Sequence, residues 1–137
     1  TERGPRIEEM FTNLETYISR VSNYMNADNE DYRIIAIDNL RRFLERFVKE
    51  LFICDTGNTI SKRFENARWS EIRNLLQNCE SFDPHDESRL RATYDFCSQH
   101  LHEDDTVPDT VPQPHNIKAH YDNIVELFDS YKETLGL

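Results

Sequence analysis

The sequence is poor in the residues that break helices. Its 137 residues include only three glycines and five prolines, and long stretches contain neither. A β fold with many turns needs such residues at short intervals, so their scarcity argues against a sandwich or a barrel. The longest apolar patterns also lack the alternation that is typical of strands. The sequence therefore predicts long helices.

Paired cysteines and long apolar runs are also missing. The chain has an odd number of cysteines, and none are in CxxC spacing, which is typical of a reduced protein. They are Cys54, Cys79 and Cys97. No apolar run approaches the length that spans a bilayer, and the start does not resemble a signal peptide. We therefore predict a cytoplasmic protein without a membrane partner. The ends, TERGPRIEE and ETLGL, suggest that residues 1–137 are a single domain taken from a longer protein.

Positive charge is scarce, since 16 Lys and Arg face 26 Asp and Glu for a net charge of −10. The excess of acid lies in residues 80–137, whereas residues 1–79 are nearly neutral. Proteins that coat nucleic acid have the opposite sign, so broad binding by the acidic half is excluded. A small face within residues 41–73 could still contact RNA or an acidic protein. Its basic and aromatic members would be Arg41, Arg42, Arg46, Lys49, Lys62, Arg63, Phe64, Arg68, Trp69 and Arg73, with Phe82 nearby.

Apolar side chains recur at intervals of three and four along most of the chain. This spacing predicts an all-α bundle of about five or six helices. Asp83 is a suitable N-cap before Pro84, and the prolines and acids of residues 103–116 predict an extended connector. The predicted helices cover residues 6–26, 30–54, 59–64, 70–78, 84–101 and 117–135.

The segment 30–54 is the strongest of these helices. It has a broad apolar face, and charged side chains four residues apart lie on the opposite face. The predicted ion pairs are Asp38–Arg42, Arg41–Glu45, Glu45–Lys49 and Arg46–Glu50.

The stretches IDNLRRFLERFVKELF and YDFCSQHLH resemble the two motif helices of HEPN domains, closest to the degenerate HEPN-like modules at the C-termini of prokaryotic defence ATPases. Ser98 and His102, or His100, would occupy the usual histidine-bearing end. The resemblance implies a bundle that dimerises around these helices and, in active members, a metal-independent RNase. In active members, four to six residues separate the catalytic Arg from the His that follows it. Here Arg91 precedes His100 by nine residues, so the spacing differs.

We therefore expect a non-catalytic interaction or dimerisation module of a larger defence-type protein, with no cofactor. Its partner would be another protein or a second copy. The alternative is an RNase that uses Arg41, Glu45 and His102, and a second alternative is an acidic inhibitor that binds a basic protein through residues 103–109. The candidate binding residues, a polar cluster where two helices meet, are Arg41, Arg42, Glu45, Arg46, Ser98 and His102.

The run QHLHEDD contains side chains that can bind metals, namely His100, His102 and the three following acids. A helix directs residues i and i+2 to different faces, however, and chelation needs side chains that converge. We therefore predict the end of a helix here and no metal site.

Overall fold

The computed structural model describes residues 3–57, 69–77, 79–101 and 112–137. These residues contain five helices and no strand, which confirms the all-α prediction. The predicted helix at residues 59–64 lies outside the described residues. The helices are α1 (Arg3–Tyr24), α2 (Glu30–Thr56), α3 (Trp69–Leu76), α4 (Pro84–His100) and α5 (Pro114–Tyr131).

Both ends of α2 have recognisable caps. The Asn29 side chain accepts a hydrogen bond of 2.8 Å from the backbone N–H of Asp31, which satisfies one of the free donors at the helix start. At the other end Gly57 has a φ of 71°, and its N–H donates to the Ile53 carbonyl at 2.9 Å. Because glycine adopts this left-handed conformation without strain, α2 continues to Thr56, two residues past its predicted end.

The starts of α4 and α5 both use proline at the first helical position. Asp83 caps α4 by accepting from the His85 N–H at 2.9 Å, as predicted. In contrast, α5 begins at Pro114 and not at residue 117, so the prediction of a connector reaching residue 116 was wrong. Proline lacks the N–H that would stay unbonded at a helix start, and its fixed φ suits a helix. These two properties explain the earlier start.

Helix α2 lies at the centre of the bundle and contacts each of the other four helices. Its buried side is largely apolar, with Phe43 and Phe47 stacked at 5.5 Å. Phe43 also meets Phe128 of α5 edge to face at 6.1 Å. Fully buried side chains from α1, α2, α4 and α5 complete this core: Leu14, Val21, Ile37, Leu40, Leu44, Val48, Leu90, Cys97, Ile117 and Ile124.

Polar contacts attach the ends of the helices to one another. The Asp55 carboxylate accepts from the backbone N–H of Glu80 at 2.9 Å and of Ser81 at 3.2 Å. Hydrogen bonding, first from the Ser81 hydroxyl, lowers the pKa of Asp55. The end of α2 is thereby joined to the turn that precedes α4.

A second polar link joins α5 to the start of α4. The Tyr131 hydroxyl donates to Asp86 at 2.6 Å and accepts from the Asp83 N–H at 2.9 Å. Its ring stacks on Phe82 at 5.5 Å and meets Phe47 edge to face at 5.7 Å. Phe82 is therefore buried in the core, and the prediction that it belongs to a surface for RNA was wrong.

Arg33 joins the loop between α1 and α2 to the segment before α5. It is 8% exposed. Its guanidinium donates to the carbonyls of Ala27 at 2.9 Å, Asp28 at 3.1 Å and Pro112 at 3.2 Å. A planar group with five donors can satisfy several carbonyls at once, so one side chain holds two distant segments of the chain.

Candidate functional site

The outer face of α2 carries a row of charged side chains, here called the charged ridge: Asp38, Arg41, Arg42, Glu45, Arg46 and Lys49. Asp38 accepts from Arg41 at 2.9 Å and from Arg42 at 2.7 Å. These contacts form because residues three and four apart are neighbours on a helix. The hydrogen bond to Asp38 raises the pKa of Arg42.

The ridge also reaches into the bundle. Arg46 pairs at 2.8 Å with Glu50, whose side chain is 1% exposed. The Nε atoms of Arg41 and Arg46 are buried without a hydrogen-bond partner among the described residues. Burial raises the pKa of Glu45, while the charges of Arg41 and Lys49 oppose that rise. The ridge is therefore a partly desolvated network and not a set of independent surface charges.

The C-terminal part of α4 packs against this network. The Cys97 thiol donates to the Ile37 carbonyl at 3.5 Å, and burial raises its pKa to about 12, with the Arg41 and Glu45 charges acting on it as well. Ser98 follows Cys97 and is half-buried. The structure thus brings the Arg41–Glu45 region close to this part of α4, while His102 lies outside the described residues.

The proposed basic face has little unpaired charge in the described part of the chain. Arg41 and Arg42 bind Asp38, Arg46 binds Glu50, and Arg73 binds Glu87 at 2.9 Å. Four arginines expected to meet RNA therefore each contact a carboxylate already. The rest of the predicted basic set between residues 58 and 68 lies outside the described residues.

A polar network between α4 and α5 was not anticipated from the sequence. The Asn123 amide donates to the Arg89 carbonyl at 2.9 Å and to the Thr93 hydroxyl oxygen at 2.8 Å. Arg89 in turn donates to Asn123 at 3.2 Å and to Glu126. The Thr93 hydroxyl lies 2.8 Å from Nδ1 of His120. One available signal was the position of Thr93, three residues after Leu90 on the buried face of α4.

The same network favours one tautomer of the His120 ring. Thr93 is fully buried, and its hydroxyl already accepts from Asn123, so its own proton needs an acceptor. Among the described contacts of that hydroxyl, His120 Nδ1 fills the role. Nδ1 is then unprotonated and Nε2 carries the hydrogen. Burial lowers the pKa of His120, which agrees with a neutral ring.

An open pocket of about 390 Å³ lies where the end of α4 meets the start of α5. We call it the histidine pocket. The His120 ring stacks on Phe96 at 4.2 Å, and His100 meets the same ring edge to face at 5.1 Å. His100 Nδ1 is buried without a described hydrogen-bond partner, and burial lowers the pKa of this residue. The lining residues are Phe96, Gln99, His100, Pro112, Asn116, Ala119 and His120.

Three further properties bear on function. Among the described residues, no three His, Cys, Asp or Glu side chains gather as a metal site would require. Within the same residues, none of the helices combines the length and the apolar character needed to cross a bilayer. Within the described part of the chain, no disulfide joins Cys54, Cys79 or Cys97.

Comparison with known proteins produced no relative. No family model, no curated protein and no solved structure matches the chain. The charged ridge, the polar network and the histidine pocket are therefore the features of the molecule that bear on its function.

Proposed function

We propose that the chain is a non-catalytic helical interaction module that self-associates through the outer face of α2. The observation that carries the proposal is the position of two exposed apolar side chains. Tyr32 is 51% exposed and Ile35 is 38% exposed, and they lie one turn apart beside the charged ridge. Tyr32 also contacts Tyr24, with ring centroids 5.8 Å apart. An aromatic and aliphatic patch bordered by charges is typical of a protein interface.

The charges of the ridge suit a second copy of the same helix. In a symmetric dimer both subunits use the same surface. If two α2 helices cross antiparallel, with the two-fold axis between residues 43 and 44, Asp38 lies opposite Lys49 of the partner subunit. In the same register Arg42 lies opposite Glu45 of the partner subunit. Opposite charges then face each other on both sides of the axis, which favours this register.

The apolar residues support the same arrangement. In this register Ile35 lies opposite Phe52 of the partner subunit, and Phe52 is only partly buried within its own chain. Each end of the paired helices would therefore bury an apolar contact, while the charge pairs lie between them. Burial of apolar surface supplies affinity, and the charge pairs specify the register.

The available area limits the strength of such a dimer. Helix α2 has 27 residues, which corresponds to about 40 Å at 1.5 Å per residue. A contact strip about 10 Å wide provides roughly 400 Å² per subunit, about half of a standard interface. We therefore expect a weak dimer that forms with increasing protein concentration and that salt weakens.

Sedimentation velocity over a range of protein concentrations tests the proposal. Ile35→Glu should leave a monomer, whereas Ala92→Glu, which adds the same charge on the exposed face of α4, should dimerise like the parent chain. Arg42→Glu and Glu45→Arg should each weaken the dimer, and their combination should restore it. A monomer at every concentration, or equal behaviour of the Ile35 and Ala92 variants, would contradict this function.

No comparison supports the HEPN resemblance, and the RNase alternative remains a prediction. Arg41 would have to stabilise a phosphorane, yet it is bound to Asp38. Chelator-resistant RNA cleavage that is lost in Arg41→Ala would establish the enzyme in place of the module. The acids of the inhibitor alternative lie outside the described residues.

A further inference from the structure

We propose that the histidine pocket binds an uncharged heteroaromatic ring of the nucleobase or nucleoside type. The site is separate from the α2 surface and does not depend on the dimer. Three properties of the pocket support this assignment: the uncharged character of its described lining, its hydrogen-bonding groups and its aromatic surface.

The pocket is neutral within a strongly acidic chain. None of the described residues that line it is Asp, Glu, Lys or Arg, and burial lowers the pKa of both His100 and His120, which favours the neutral rings. A charged ligand would lose hydration here without gaining a counter-charge. An anion would also be repelled by the net charge of −10. A neutral ligand avoids both costs.

The hydrogen-bonding groups suit a ring that has both donors and acceptors. The Thr93 hydroxyl lies 2.8 Å from His120 Nδ1, and a hydroxyl that donates to this nitrogen leaves the hydrogen on Nε2, which has no hydrogen-bond partner among the described residues. Gln99 and Asn116 are exposed and line the same pocket. Each carboxamide offers a donor and an acceptor, and carboxamides pair in a bidentate manner with adenine. Nucleobases carry such complementary groups in one plane.

The remaining lining provides an aromatic surface and an unsatisfied nitrogen. Phe96 with its two imidazole neighbours forms an aromatic cluster of the kind on which bases stack regardless of sequence. His100 Nδ1 is buried without a described partner, so a rotation of this imidazole that turns the nitrogen toward the pocket would let a ligand satisfy it. The volume of about 390 Å³ lies within the usual range of about 300–1,000 Å³ for small-molecule sites.

Titration of the chain with adenosine and, separately, with uridine tests the proposal. The imidazole proton signals of His100 and His120 are followed by NMR, and affinities are measured by calorimetry. We expect saturable shifts of both histidines with at least one nucleoside. Asn116→Leu and Gln99→Leu should each weaken binding by about tenfold.

Two controls make the test specific. His115→Leu alters an exposed residue of α5 that does not line the pocket, so it should bind like the parent chain. The corresponding nucleoside monophosphate should bind more weakly than the nucleoside at low ionic strength. The proposal is overturned if neither nucleoside shifts the two histidines, if both carboxamide variants keep full affinity, or if the monophosphate binds as tightly.

Discussion

The hydroxyl of Tyr131 provides a quantitative test of how α4 and α5 are held together. Tyr131→Phe keeps the ring that packs on Phe82 and Phe47 but removes the donor to Asp86 and the acceptor for the Asp83 N–H. A hydrogen bond to a charged group contributes about 1.5–3 kcal/mol. Asp83 is exposed, so water can replace its lost acceptor at little cost. We expect the free energy of unfolding to fall by about 2 kcal/mol.

Urea unfolding followed by circular dichroism measures this change, with the slope m expected to stay constant because the exposed surface is the same. Asp86→Asn and the double variant complete a cycle, whose coupling free energy we expect to be about 1 kcal/mol or more. If Tyr131→Phe costs less than about 0.5 kcal/mol, or if the two single changes are simply additive, the hydroxyl does not hold the helices together.

The raised pKa of Tyr131 also predicts that the stability of the fold depends on pH in the alkaline range. Burial, and then the hydrogen bond to Asp86, raise the pKa of Tyr131 above its ordinary 10.0. Since the folded state retains the proton longer, the stabilisation is complete below pH 10 and is lost as pH rises above it. The difference in unfolding free energy between the parent chain and Tyr131→Phe should therefore shrink above about pH 10. A constant difference across this range would refute the assignment.

Three further predictions concern other parts of the molecule. Burial raises the pKa of Cys97 to about 12 and of Cys79 to about 11. A disulfide reagent at pH 8 should therefore modify Cys54 first and the other two thiols slowly. Equal modification rates at all three thiols would contradict this prediction. Arg33→Lys should lower the free energy of unfolding in urea by about 1–2 kcal/mol, because an ammonium group cannot reach the carbonyls of Ala27, Asp28 and Pro112 together. An unchanged urea midpoint would show that Arg33 does not hold these two segments together. Burial lowers the pKa of His120 from its ordinary 6.5, so the unfolded chain binds the proton first as pH decreases. The free energy of unfolding should therefore fall as pH decreases below 6.5. His120→Gln should make this pH dependence shallower, and an unchanged dependence would show that His120 does not contribute to it.

The central helix was predictable because its signal is long and local. Apolar residues from Ile37 to Leu51 recur at helical spacing over several turns, and Asn29 and Gly57 are strong boundary residues. The structure places the helix over the predicted span and continues it two residues further, to Thr56. It also forms the Asp38–Arg42 and Arg46–Glu50 pairs, which depend only on positions within one helix.

The polar network was not predictable in the same way. Thr93 and His120 lie on different helices, and neither has a local partner in the sequence that indicates a shared contact. Their contact depends on how α4 and α5 cross, which the periodicity of each helix does not determine. Phe82 illustrates the same limit, because its place beside Tyr131 depends on the turn that Asp55 holds.

The central position of α2 also has a consequence for amide hydrogen exchange. An amide in this helix exchanges only when its hydrogen bond opens, and opening the middle of α2 would separate it from the four helices that contact it. Local fluctuations release chain ends and loops at a low cost in free energy, but they cannot release a segment that packs against all four of the other described helices. The amides from about Leu40 to Val48 should therefore exchange most slowly, through global unfolding, and their rates would report the stability of the entire bundle.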